Sequence, residues 1–262
     1  MKKQQTVFLL ALIVAAIAPS DINAQNVQVH YDFGHSLQPS LLSERPSLTT
    51  TVEHFQPDGW GSTFFFIDLD YYSTGIGGAY WEISRELTFH SSPTRTHSFA
   101  AHVEYNGGLS SSKHITNNTH FQHAVLAGPA WNWHSADFSR TFSVQALYKY
   151  YFRGELPFQR AYSSCQLTEV WGLTFAHGLC TFSGYCDIWY NKNVNGNLML
   201  LSEPQLWFHL SSFVPEPKQK THPLSHLSIG TEVEISNNFV FTDEGRNNRF
   251  FAIPTIAAKW QF

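Results

Sequence analysis

Only three cysteines, Cys165, Cys180 and Cys186, occur in 262 residues. An odd number leaves one thiol over, so a disulfide framework is excluded. Cys180 and Cys186 share one side of a strand-like run but lie too far apart along extended chain to bridge. No CxxC pair and no HExxH motif is present, so zinc chemistry has no basis in the sequence, and the three cysteines read as small apolar fillers. Charge is also scarce. Only 14% of residues are charged and the formal net charge is -4, which removes the basic field that nucleic-acid binding requires. Beyond the first two dozen residues no apolar run reaches the length of a membrane helix, and no long stretch repeats with helical periodicity. The sequence carries no GxSxG, P-loop or Rossmann pattern on a strand-to-helix unit. Its 14 histidines are scattered. His120-x-x-His123 stands beside a polar Asn-Asn-Thr stretch that points to surface exposure. No enzyme, metal or cofactor is expected.

What is abundant is the aromatic ring: 22 Phe, 11 Tyr and 8 Trp. The chain is 43% hydrophobic, yet its mean hydropathy of -0.22 is too polar for a helical membrane bundle. Lys2 and Lys3 precede an apolar run from Val7 to Ala18, and a polar stretch then leads to Ala24. This is the pattern of a secretory signal peptide covering 1–24, with the exported domain at 25–262.

In the exported part the period is two. Phe99, Ala101, Val103 and Tyr105 share one face of a run whose other face carries His102, Glu104 and Asn106. The same reading predicts strands over 27–34, 47–56, 61–72, 77–89, 98–107, 122–133, 141–152, 163–175, 179–191, 198–210, 226–237 and 250–262. Turn formers such as Pro57-Asp58-Gly59 and His177-Gly178 separate them. Soluble strands average five or six residues, whereas these match the nine to eleven that cross a bilayer at a tilt. The expected fold is all-β: a transmembrane antiparallel β-barrel of about 12 strands. An even count puts both termini in the periplasm and assigns 34–45, 73–76, 109–121, 153–162, 191–197 and 238–249 to the outside. The Pro-rich segment 211–225 is long for a periplasmic connection.

The ending Ile256-Ala257-Ala258-Lys259-Trp260-Gln261-Phe262 resembles the closing strand by which outer-membrane barrels are recognised for assembly. Together with Gln28-Val29-His30-Tyr31-Asp32-Phe33-Gly34, Phe64-Phe65-Phe66-Ile67-Asp68, Ala79-Tyr80-Trp81-Glu82-Ile83 and Ile229-Gly230-Thr231-Glu232-Val233-Glu234-Ile235, it makes nearly the whole exported chain similar to the Tsx-like nucleoside-specific channel family. The similarity is closer to a related branch of unassigned function. The resemblance implies an outer-membrane location, outer-membrane lipids and the barrel assembly machinery as partners, and passage of nucleosides.

If Phe65, Ile67, Leu69, Phe99, Val103, Ile229, Val233, Ile256, Trp260 and Phe262 face lipid, the opposite parity lines a lumen. That parity carries Asp32, Glu53, Asp68, Asp70, Glu82, Glu86, Glu104, Asp187, Glu203, Glu232 and Glu234, with Lys149 and Lys259 as cations. Such a lining favours cations or neutral polyols over anions. Phe64, Phe66, Tyr80, Tyr185, Trp189 and Trp207 share it, and rings in a wet lumen suit stacking on a flat solute. The bland alternatives are solvated carboxylates, an aromatic plug packed against itself, or a bulge that turns Phe64 and Phe66 outward. Arg85 and Glu169 fall on the lipid parity, which calls for interfacial depth, a bulge or an oligomer contact. The leading function is a passive channel for small polar solutes, nucleosides in particular. The alternatives are a closed-lumen barrel with a structural or ligand-binding role and a soluble periplasmic binding barrel.

Overall fold

The computed structural model describes residues 25–43, 45–73, 75–110, 121–154, 159–191, 197–218, 221–240 and 249–262. The expected signal peptide lies outside these residues, as do His120 and much of the loops expected at 109–121, 191–197 and 238–249. The strands are β1 (Gln25–Asp32), β2 (Leu48–Asp58), β3 (Gly61–Tyr72), β4 (Gly75–Ser91), β5 (His97–Ser110), β6 (Ala124–His134), β7 (Arg140–Tyr151), β8 (Tyr162–Phe175), β9 (Cys180–Tyr190), β10 (Leu198–Ser202), β11 (Gln205–His209), β12 (Leu227–Asn237) and β13 (Phe250–Gln261). Each pairs antiparallel with its neighbours, and β13 closes the sheet on β1 with Gln28 opposite Lys259. Closure leaves no edge unpaired, the condition for crossing lipid with strands.

β10 and β11 are two halves of one crossing, so the barrel has twelve staves and the continuous strand expected at 198–210 is broken. The break is at Glu203-Pro204, because Pro204 has no N–H to give to a ladder. Its carbonyl still accepts from Val233 N at 3.0 Å, and Glu203 N donates to the Tyr185 carbonyl at 3.1 Å. Gly184, at φ +154°, makes the detour possible: a Cβ there would fall 2.5 Å from the Glu203 carbonyl oxygen.

The registers fix the two faces. Ile83, Phe99, Val103, Ile229 and Ile256 point outward and stay exposed, Ile256 at 53%. An apolar outer face of this extent suits lipid and argues against a soluble barrel. Arg85 is outward but at the rim that holds both termini, where its guanidinium donates to Asp58 at 2.6 and 2.9 Å and to Thr63 at 3.0 Å. Interfacial depth is therefore the answer for Arg85. Glu169 is outward and exposed midway along β8, opposite Cys186, with no ion pair or hydrogen bond among the described residues; nothing in the structure explains it. All three cysteines are free.

Tight turns close the terminal rim. In the β6–β7 turn the Asp137 carboxylate accepts from the hydroxyls of Ser135 and Ser139 and from Ser139 N, at 2.6, 2.8 and 3.1 Å. These bonds hold its pKa down at about 2, so the turn keeps its anchor until pH falls through that value. The connection after β11 is as long as the sequence indicates. It folds into three 3-10 turns, Leu210–Phe213, Glu216–Lys218 and Pro223–His226.

At the opposite, distal rim two segments fold inward. After β1 a one-turn helix α1 (Gly34–Leu37) leads Leu41 and Leu42 into contact with Val240, Phe251 and Ile253. Phe239 joins both this cluster and an inner apolar cluster of Leu126, Leu147, Tyr151, Trp189, Met199 and Leu201. The loop expected to extend outward at 34–45 thus narrows one side of the mouth.

The last strand carries a test of closure. Phe262 N donates to the Gln25 carbonyl at 3.0 Å, and the Gln261 side chain donates to the same oxygen at 2.9 Å. Deleting Phe262 is expected to lower the yield of the folded, heat-modifiable band in membranes several-fold. An unchanged yield would remove the last residue from any part in assembly.

Candidate functional site

The lumen is built from every second residue of twelve staves, and the pleat makes one wall at a time. Along β3 the inward side chains are Phe64, Phe66, Asp68 and Asp70; along β4 they are Tyr80, Glu82, Ser84 and Glu86. Phe66 lies opposite Glu82 and Asp68 opposite Tyr80, so rings and carboxylates alternate across the pair. The rings form a descending series: Phe121 to Tyr80 at 5.3 Å between centroids, Tyr80 to Phe66 at 5.9 Å and Phe66 to Phe64 at 6.0 Å. Phe121 stands at the distal rim over Gly108, where a Cβ would come 2.4 Å from its ring. Phe64, Phe66 and Tyr80 are half-buried and Phe121 is exposed, and the rings meet at tilts of 39° to 54°. Phe64 and Phe66 share the inward parity of Asp68 and do not turn outward.

The carboxylates beside them are held by donors that leave acceptor capacity over. Thr49 and Thr51 donate to Asp70 and Asp68 at 2.8 and 2.5 Å, and Tyr80 Oη donates to Glu82 at 2.5 Å. Asn26 donates to Glu53 at 3.0 Å and Gln205 to Glu232 at 2.6 Å. Asp68 lies within electrostatic reach of Glu53, Glu232 and Glu203. Glu82 lies within reach of Glu104 and Asp187. Acids from facing walls therefore share one narrow space. Part of that space is open, since Val170, inward on β8, keeps 38% of its surface exposed, while the inward Leu126, Lys149 and Trp189 nearer the distal rim are buried.

Few cations offset this field. His102 sits between Glu86 and Glu104, at 3.2 and 3.1 Å. The Lys259 ammonium lies 3.9 Å from the centroid of the Trp207 ring. Arg45, carried in by the loop after β1, donates to Asp32 at 2.8 Å and to Glu234 at 2.5 Å.

Every lumen residue expected from the sequence points inward, but not all can meet a solute. Trp207 is completely buried, beneath Lys259 and against the edge of His30. Glu234 is buried and taken by Arg45, and Glu104 is engaged by His102. These three support the wall, which corrects their assignment as contact residues. Phe64, Phe66, Asp68, Asp70, Tyr80, Glu82, Tyr185, Asp187, Glu203 and Glu232 remain half-buried on the inner surface. Arg45 and Phe121 join the lumen without having been expected, since both belong to segments whose polarity marks them only as loops. His123 is pinned rather than free: Nδ1 lies 2.6 Å from Tyr105 Oη and Nε2 3.2 Å from the Gly108 carbonyl.

Among solved structures, the chain is similar to a NanC porin, with a TM-score of 0.56 at 10% identity over 91% of this chain and all of that one. A KdgM porin matches with a TM-score of 0.48, 10% identity and coverage of 91% and 98%. The OccAB2 protein of Acinetobacter baumannii matches at 0.41, 8% identity and coverage of 83% and 55%. At these identities the NanC likeness establishes the barrel fold alone. No curated protein matches. The family match does not confirm the Tsx-like resemblance: residues 24–262 match the family described as "Domain of unknown function (DUF5020)", and the chain belongs to that family.

Proposed function

We propose that this protein is an outer-membrane channel for passive passage of small polar solutes, neutral or cationic, with nucleosides as the specific class. The observation that carries the reading is the ring series Phe121, Tyr80, Phe66 and Phe64 running beside Asp68, Asp70 and Glu82 on the inner wall. Rings bind the flat face of a solute, carboxylates accept its hydroxyl or amino protons, and neither contact is strong enough to trap it. The fold shared with the NanC porin supports the channel, and the Tsx-like sequence resemblance supports the nucleoside. The termini then face the periplasm and the assembly machinery acts on the closing strand.

Planar-bilayer recording tests this. Discrete conductance steps are expected, with a reversal potential in a salt gradient that marks a preference for cations, because narrow low-dielectric walls focus the carboxylate field. Asp68→Asn with Asp70→Asn keeps an acceptor for Thr51 and Thr49 and is expected to lower the preference. Anion preference in the unaltered protein would overturn the lumen reading. The closed-lumen alternative has its own support in the inward fold of Leu42 and Val240, and absence of conductance would establish it.

A further inference from the structure

Lys149, inward on β7 and 6% exposed, is the buried cation nearest the middle of the acidic walls. Its ammonium donates to Gln166 Oε1 at 2.8 Å and lies 5.1 and 5.2 Å from the ring centroids of Tyr151 and Trp189. Asp187, Glu82 and Glu104 are within electrostatic reach. Yet among the described residues no carboxylate comes within 4.0 Å of it. An ammonium has three donors and packing has committed one of them.

Two more polar atoms on neighbouring rungs are uncommitted. Asn106 Oδ1 and Trp189 Nε1 are buried without a hydrogen-bond partner, in residues 5% and 8% exposed. Buried polar atoms are ordinarily partnered, so each such atom calls for a reason. The registers bring these atoms to one region. Asn106 lies opposite Glu82, Glu104 and Lys149 both lie opposite Leu126, and Trp189 lies opposite Gln166, the residue that holds Lys149.

We propose that this set of inward polar groups is a subsite for a neutral polyhydroxylated ring, a sugar either free or as part of a larger solute. The proposal rests on the channel reading only in that solute must reach the lumen. A hydroxyl both donates and accepts, which matches a lining that offers an ammonium and an indole N–H beside an amide oxygen and carboxylates. With Glu104 engaged by His102, Asp187 and Glu82 still outnumber the one ammonium and disfavour an anion. A zwitterion would bring its carboxylate among Asp187 and Glu82, which a hydroxyl does not. Phe66 lies on the far side of Glu82 from Asn106, two strand spacings or about 10 Å away. A flat group attached to the sugar would therefore reach the ring series.

The test is equilibrium titration of the folded barrel in detergent, by calorimetry and tryptophan fluorescence. The probes are ribose and glucose, with glycine as the zwitterion and glucuronate as the anion. Saturable binding of ribose or glucose is expected, with glycine and glucuronate weaker by about tenfold or more. Asn106→Leu, which removes the amide, and Trp189→Phe, which removes the indole N–H with its ring, should each weaken the sugar by about fivefold. Heat-modifiable migration verifies that the variants fold. Tighter binding of glycine or glucuronate than of both sugars, no saturable sugar binding by the unaltered protein, or variants that bind as it does would overturn the subsite. The two readings fail separately. A non-conducting barrel that binds sugar overturns only the channel, and a conducting barrel that binds none overturns only the subsite.

Discussion

Arg45→Ala is expected to loosen the mouth of the barrel and to lower its stability by about 3 to 5 kcal/mol, the cost of removing one partner from a buried ion pair. Arg45 joins two staves that are distant in sequence, Asp32 at the end of β1 and Glu234 on β12, and its side chain is only 22% exposed. Without it the two carboxylates, 8% and 10% exposed, face each other with no cation between them. Leu41 and Leu42 sit only a few residues before this anchor, so their packing on Val240 and Ile253 loses its tether as well. The midpoint of urea unfolding, followed by loss of heat-modifiable migration, should fall, and single-channel conductance should rise. Arg45→Lys is expected to recover only part of the loss, because an ammonium cannot span two carboxylates as a planar guanidinium does. An unchanged midpoint in Arg45→Ala would mean that the loop is held by its apolar contacts alone.

The barrel was legible because its information is periodic. In β5 the alternation of Phe99, Ala101, Val103 and Tyr105 against His102, Glu104 and Asn106 sets both the strand and its two faces. The observed ends of the continuous strands differ from the expected ones by three residues or fewer. Parity also sets Phe64, Phe66, Asp68 and Asp70 on one face of β3, since a strand cannot present neighbours on one face. What parity cannot express is depth and occlusion. Trp207 has the right face yet is covered by Lys259, a residue 52 positions later brought alongside only when β13 closes the barrel. Arg45 and Phe121 reach the lumen from loops, where no period exists to read. The break at Glu203-Pro204 was in plain sight as a proline within a strand pattern, but its consequence depended on Gly184 yielding space across the sheet.

Phe64→Ala combined with Phe66→Ala is expected to weaken nucleoside block of the channel current by about tenfold or more while changing the open conductance far less. The two rings lie 6.0 Å apart on one wall, and the carboxylates of Asp68 and Glu82 flank them. A nucleoside offers a flat base for the rings and hydroxyls for the carboxylates, so one solute can engage both. Stacking is worth about 1 to 3 kcal/mol per base in single-strand binding sites, enough for reversible occupancy without arrest. Two truncations remove more than that single contact, because Phe66 also supports Tyr80 at 5.9 Å and Tyr80 supports Phe121 at 5.3 Å. The whole series should lose order with the double variant, whereas Phe64→Ala alone removes only its last member and should weaken block less. Open conductance should rise only modestly, since both side chains line one wall and the constriction by Leu42 and Arg45 stands on another. Adenosine and thymidine are the probes, with ribose as the control that lacks a base. Equal block by ribose and adenosine, or a double variant blocked like the unaltered protein, would take the base-stacking role away from these rings and leave a general channel for small polar solutes.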